Sequence, residues 1–174
     1  MNVLLLKNYP SATAADHATI QSFTDNIRGS VPDAQLDICC IANGDTIPET
    51  SKYDFVILSG GRVNLLEDVK PNWALDVLDM VRRVAGDGSK TKLLGICWGH
   101  QAIHYALGGK IAWLNGNPKV GVQKIELTTE GQKFFQANTL VCHPEMTNEI
   151  SKVLIDGDDG TYKHQGDLQS TPDV

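Results

Sequence analysis

Short unbroken apolar runs alternate along the chain with segments whose apolar residues recur every three or four positions. Residues 3–6 are four apolar residues in a row, which suits a strand of a parallel sheet covered on both faces. Residues 14–27 read as a helix, with Ser11 or Thr13 as the N-cap and Gly29 just past the end. Residues 35–41 and 55–58 read as the second and third strands. Over residues 72–85, Trp73, Val77, Met80, Val81 and Val84 fall at helical spacing, with Pro71 before them and Gly86 after. A strand at residues 92–96 then runs directly into a helix at 99–107, which ends at Gly108-Gly109. Beyond it the pattern predicts a strand at 122–127, a short helix at 130–135, a strand at 139–142 and a helix at 147–155. This alternation predicts a three-layer α/β domain over residues 1–155 with a mainly parallel sheet. Residues 156–174 are polar, rich in Gly and Asp, and are expected to form a flexible C-terminal tail.

Composition narrows the picture. The 174 residues, 41% hydrophobic and 21% charged, are enough for one substantial core. Fifteen basic against 21 acidic residues give a net charge of −6. That balance argues against general nucleic-acid binding, which needs clustered Lys and Arg. No apolar run approaches the roughly 20 residues that span a bilayer, and the N-terminal residues carry no signal-peptide pattern. The four cysteines, Cys39, Cys40, Cys97 and Cys142, form no C-x-x-C pair. Cys39 and Cys40 fall on opposite faces of a strand and would not bridge each other. Reduced thiols and a cytoplasmic setting follow as the expectation.

The most informative stretch is Leu93-Leu94-Gly95-Ile96-Cys97-Trp98-Gly99-His100-Gln101: an apolar strand, Gly-x-Cys-x-Gly, then a helix. This is a nucleophile elbow carrying a thiol. The helix starting there offers free N–H groups and a positive dipole end, which favour a thiolate. The Trp98 N–H is placed to donate to a developing oxyanion. A second strand, Phe55-Val56-Ile57-Leu58-Ser59, runs into Gly60-Gly61. In a parallel sheet that point lies at the carboxyl edge, where ligands bind, and its amides would complete an oxyanion hole. A third element, Val141-Cys142-His143-Pro144-Glu145, again ends a predicted strand. A thiolate needs a base, and a His oriented by a carboxylate is the usual supply. Taken singly, each element also fits a buried cysteine, an ordinary turn or a His-Pro turn; their combination favours catalysis.

In this order the three elements resemble the class I glutamine amidotransferases, over about residues 1–155. The matching residues are Leu58-Ser59-Gly60-Gly61, Gly95-Ile96-Cys97-Trp98-Gly99-His100-Gln101 with the later Ala106-Leu107-Gly108-Gly109, and His143-Pro144-Glu145. The nearest flavour is the free-standing glutaminase related to that of GMP synthase. The resemblance implies a flavodoxin-like sandwich with Cys97 as nucleophile, His143 as general base and acid, and Glu145 as the orienting carboxylate. Gly60 or Gly61 and Trp98 would donate to the oxyanion, and Gln101 would shape the glutamine pocket. The implied chemistry is hydrolysis of the glutamine side-chain amide through a γ-glutamyl thioester, with release of ammonia and no cofactor or metal. Its implied partners are a small amide substrate and a synthetase or ammonia-accepting enzyme.

Two departures bear on substrate. Between Leu127 and Thr139 the chain holds one short helical segment where the family has a longer stretch, and Arg62 stands where Pro is common. A shortened wall leaves open another amide, ester or thioester as substrate. It also leaves open a non-catalytic binding or assembly protein, or a homo-oligomer that closes the exposed edge. His100 and His104 share a helix face, but no third ligand stands at useful spacing, so no metal site is expected. Asp156, Asp158 and Asp159 lack the terminal Glu of a calcium loop and read as solvated.

Overall fold

The computed structural model describes residues 1–10, 13–86 and 88–112, together with 129, 132, 133 and 150. The chain divides into two compact units, Met1–Trp113 and Leu114–Val174. The strands and helices expected between residues 122 and 155 lie outside the described residues, as does the tail.

The first unit runs β1 (Asn2–Asn8), α1 (Ala14–Ser30), β2 (Gln35–Cys39), β3 (Phe55–Gly61), α2 (Asn72–Gly86), β4 (Lys92–Gly95) and α3 (Trp98–Ala106). Its four strands are parallel in the order β2-β1-β3-β4, the flavodoxin-like doubly wound arrangement. Alternate strand residues feed two apolar layers. Val3, Leu5 and Ile57 meet Phe23 of α1 on one face. Leu4, Leu6, Val56 and Leu58 meet Val77, Met80, Val81 and Val84 of α2, with Trp98 and Ala102 of α3, on the other. The fold is therefore a three-layer α/β sandwich, as the alternation predicted.

Element ends differ from the sequence expectation where side chains or turns redirect backbone hydrogen bonds. Thr13 is the N-cap of α1: its hydroxyl accepts from the Asp16 N–H, and the Asp16 carboxylate accepts from the Thr13 N–H. Gly29 does not stop this helix. It adopts no left-handed conformation, and the helix runs on to Ser30, where the Val31 N–H closes on the Ile27 carbonyl at 2.8 Å. Strand β2 ends two residues early. The Cys40 N–H turns to the Asp45 carboxylate at 2.7 Å, and the Cys40 carbonyl accepts from Asn43 to start a 3-10 turn. Strand β3, by contrast, carries both glycines of the Gly60-Gly61 pair as its last residues rather than in a turn.

Candidate active site

At the carboxyl edge of the sheet, β4 turns into α3 within two residues. The Ile96 N–H donates to the Leu58 carbonyl at 2.9 Å, which ties the turn to β3. Cys97 follows at φ 52°, ψ −111°, the one non-glycine residue with positive φ among those described. Such a conformation costs about 1–3 kcal/mol and survives only where surrounding bonds overdetermine it. Here the Gly99 N–H donates to Ile96 and the Gln101 N–H to Cys97 itself, at 2.9 and 3.1 Å. The turn needs its two glycines because helix and sheet nearly touch. A β-carbon on Gly95 would overlap the Gly99 carbonyl group, and one on Gly99 would overlap the Leu58 carbonyl.

The strained turn leaves Cys97 exposed at the N-cap of α3, and its side chain makes no capping hydrogen bond. The other described thiols differ. Cys39 is buried and donates to the Thr46 carbonyl at 3.5 Å. Burial first, then the nearby Asp45 and Cys40, push its pKa up to about 11. Cys40 is half-buried against the Tyr9 carbonyl. Only Cys97, among these three, presents its sulfur at an open helix N-terminus.

Of the other residues singled out from sequence, Gly60 lies beside Cys97: a β-carbon on it would stand 3.7 Å from the Cys97 β-carbon. Gly61 lies against the Trp98 ring, 3.2 Å from where its own β-carbon would be. Trp98 is 1% exposed, and its indole N–H has no hydrogen-bond partner among the described residues. Trp73 of α2 packs on it with ring centroids 5.5 Å apart and a 55° tilt. Gln101 is exposed on the first turns of α3. His143 and Glu145 lie outside the described residues. His100 and His104 are exposed and line an open groove of about 440 Å³ with Ile103, Leu107, Gly108 and Gly109. No group of three or more metal-ligating side chains occurs among the described residues.

Two buried polar residues at this edge, Asn8 and Ser59, hydrogen-bond each other across β1 and β3; sequence reasoning passed over Asn8 and quoted Ser59 only within Leu58-Ser59-Gly60-Gly61, without a role. The only signal at Asn8 is a polar residue closing an apolar strand.

Residues 18–155 match the family model described as glutamine amidotransferase class-I. The chain belongs to the class I glutamine amidotransferase family. It is 40% identical over 141 residues to glutamine amidotransferase-like protein chry6 of Gibberella zeae, covering 81% of this chain and 59% of that protein. It is 32% identical over 82 residues to γ-glutamyl peptidase 4 of Arabidopsis thaliana, covering 47% of this chain and 31% of that one. The chain thus spans less than two thirds of the length of either relative. Among solved structures, SMU.1228c shares the fold at a TM-score of 0.64 and 17% identity, over 92% of this chain and 84% of that protein. Among the described residues, no helix of this family member is long and apolar enough to cross a membrane.

Proposed function

We propose that the protein is a cysteine hydrolase acting on a γ-glutamyl carbonyl through a thioester on Cys97. The observation that carries this reading is the exposed, positive-φ Cys97 seated between Gly60 and the start of α3. A structural cysteine would have no reason to hold a strained backbone at an open sheet edge. In the reaction the Cys97 thiolate attacks the carbonyl carbon, and its π electrons move onto oxygen. Backbone amides of Trp98 and of the Gly60-Gly61 pair receive that charge. His143, held by Glu145, takes the thiol proton and delivers it to the departing nitrogen. Ammonia leaves from glutamine, or an amine from a γ-glutamyl peptide, and water then releases glutamate from the thioester. Gln101, exposed on the first turns of α3, contributes to the pocket for the amino-acid end of the substrate.

Two relatives' names bracket the leaving group, one an amidotransferase-like protein and one a γ-glutamyl peptidase. The shared acyl half of those substrates is what the Cys97 site would recognise. An amidotransferase would pass ammonia to a synthetase or another acceptor enzyme; a peptidase needs no such partner.

The test is peptide mass after treatment with a glutamine-mimicking diazoketone, with and without excess glutamine. An adduct on Cys97 that glutamine suppresses is the expected result. Rapid iodoacetamide labelling without a diazoketone adduct would retain the nucleophile and remove glutamine as substrate. Resistance of Cys97 to both reagents would overturn the enzyme reading in favour of a binding protein.

A further inference from the structure

Strands β1 and β3 pair regularly from Val3↔Phe55 to Leu6↔Leu58, then resume at Asn8↔Gly61. Two residues of β1 therefore span three of β3, so the ladder carries a bulge with its extra residue at Ser59-Gly60. Bulges of this kind gather next to active sites because they re-aim the chain. At this one, side chains replace the missing backbone bonds. The Asn8 N–H donates to the Ser59 hydroxyl oxygen at 2.9 Å, and the Asn8 amide nitrogen donates to the Ser59 carbonyl at 3.0 Å. The Ser59 hydroxyl in turn donates to the Gly60 carbonyl at 2.8 Å. Asn8 and Ser59 are 1% and 0% exposed, so water does not compete for these bonds. A β-carbon on Gly61 would stand 2.9 Å from the Asn8 carbonyl oxygen and 3.2 Å from Trp98, which leaves this backbone little room to drift. The Asn8 side-chain oxygen has no partner among the described residues.

From this network we infer that Asn8 and Ser59 are positioning residues, which fix the Gly60–Gly61 peptide beside Cys97 so that its amide meets the charge on a carbonyl under attack. The peptide is planar, so holding the Gly60 carbonyl also fixes the direction of the Gly61 N–H. The inference rests on reading Cys97 as a thiol that accepts acyl groups, but not on glutamine as the donor.

The test compares two reactions at Cys97, each read by peptide mass. Acetylation by p-nitrophenyl acetate builds an oxyanion: sulfur bonds to the carbonyl carbon, and nitrophenolate leaves. Alkylation by iodoacetamide displaces iodide and builds none. Ser59→Ala and the near-isosteric Asn8→Leu are compared with the wild type, so that one variant serves if the other folds poorly. Acetylation is expected to fall about tenfold or more, since misplaced oxyanion donors act on that step alone, while alkylation stays within about twofold. An equal fall in both reactions, or no fall in either, would overturn the inference. So would a wild-type Cys97 that acetylates no faster, relative to its alkylation, than free cysteine. The glutaminase reading fails separately, through the diazoketone competition, whatever this ratio does.

Discussion

Cys97 combines two demands that conflict locally. Its side chain stands exposed at the edge of the sheet, and its backbone between β4 and α3 takes a positive φ. Glycine would meet the backbone demand without strain, but it has no sulfur. The conflict predicts an ordering of variants: Cys97→Gly should be more stable than Cys97→Ala by about 1 kcal/mol, read from urea midpoints. No capping bond is lost in either, because the thiol makes none. Equal midpoints would mean that the turn is not strained. A second residue-scale prediction concerns Cys39, whose pKa is raised from 9.0 to about 11 by burial, Asp45 and Cys40. Between those values the unfolded thiol has lost its proton and the folded thiol has kept it. The unfolded state therefore binds fewer protons, and folding stability falls as pH rises from about 9 to 11. Replacing Cys39 by Ala should flatten that part of the stability–pH curve, measured by denaturant titration. Residue by residue, the sequence disclosed Cys97 because Gly95 and Gly99 flank it at the two positions of closest approach. It concealed Asn8, since a polar residue ending an apolar strand reads as no more than a strand end, and it showed Ser59 only as part of Leu58-Ser59-Gly60-Gly61, without the bonds to Asn8.

At the scale of elements, hydrophobic periodicity placed each strand and α-helix among the described residues but neither short 3-10 turn, Ile41–Asn43 or Thr50–Lys52, and its other errors fell at element ends. Helix α1 outran Gly29 because that residue keeps a negative φ rather than the left-handed conformation that ends a helix. Strand β2 fell short because Asp45, five residues on, captured the Cys40 N–H. Strand β3 kept Gly60 and Gly61 because the bulge with β1 holds them extended. The two strand outcomes depend on partners outside the strand's own pattern, and periodicity holds no information about such partners. The packing of α3 on the sheet yields a sharper prediction. A methyl group on Gly99 would meet the Leu58 carbonyl, which is backbone and cannot swing aside. Gly99→Ala must push α3 off β3, at a cost of about 1–3 kcal/mol or more. The expected signs are a lower thermal midpoint together with slower iodoacetamide labelling or acetylation of Cys97, because the same helix start carries the elbow. A midpoint unchanged from wild type would mean that α3 lies farther from the sheet than described.

At the largest scale described, the sheet of the first unit stands between two apolar layers that share no side chain among the described residues. Phe23 anchors the layer under α1 with Val3, Leu5 and Ile57. Val81 sits among the α2 and α3 residues on the opposite face, against Val56 and Leu58. Alternation along β1 and β3 sends neighbouring residues to different layers, so a change in one reaches the other only through strand backbone. Interiors pack tightly enough for side-chain changes to be felt by direct neighbours, yet sites without shared partners usually add. Phe23→Leu and Val81→Ala should therefore destabilise the chain independently, with an interaction energy under about 0.5 kcal/mol in a double-mutant cycle measured by urea unfolding. The candidate site follows from the same arrangement. Asn8, Ser59-Gly60-Gly61 and Cys97 come from three separate stretches of sequence and meet only because β1, β3 and β4 are adjacent parallel strands. A coupling well above 1 kcal/mol would show that the sheet transmits packing strain from face to face. The Gly60–Cys97 spacing would then depend on the layer beneath α1 as well as on the bulge beside it.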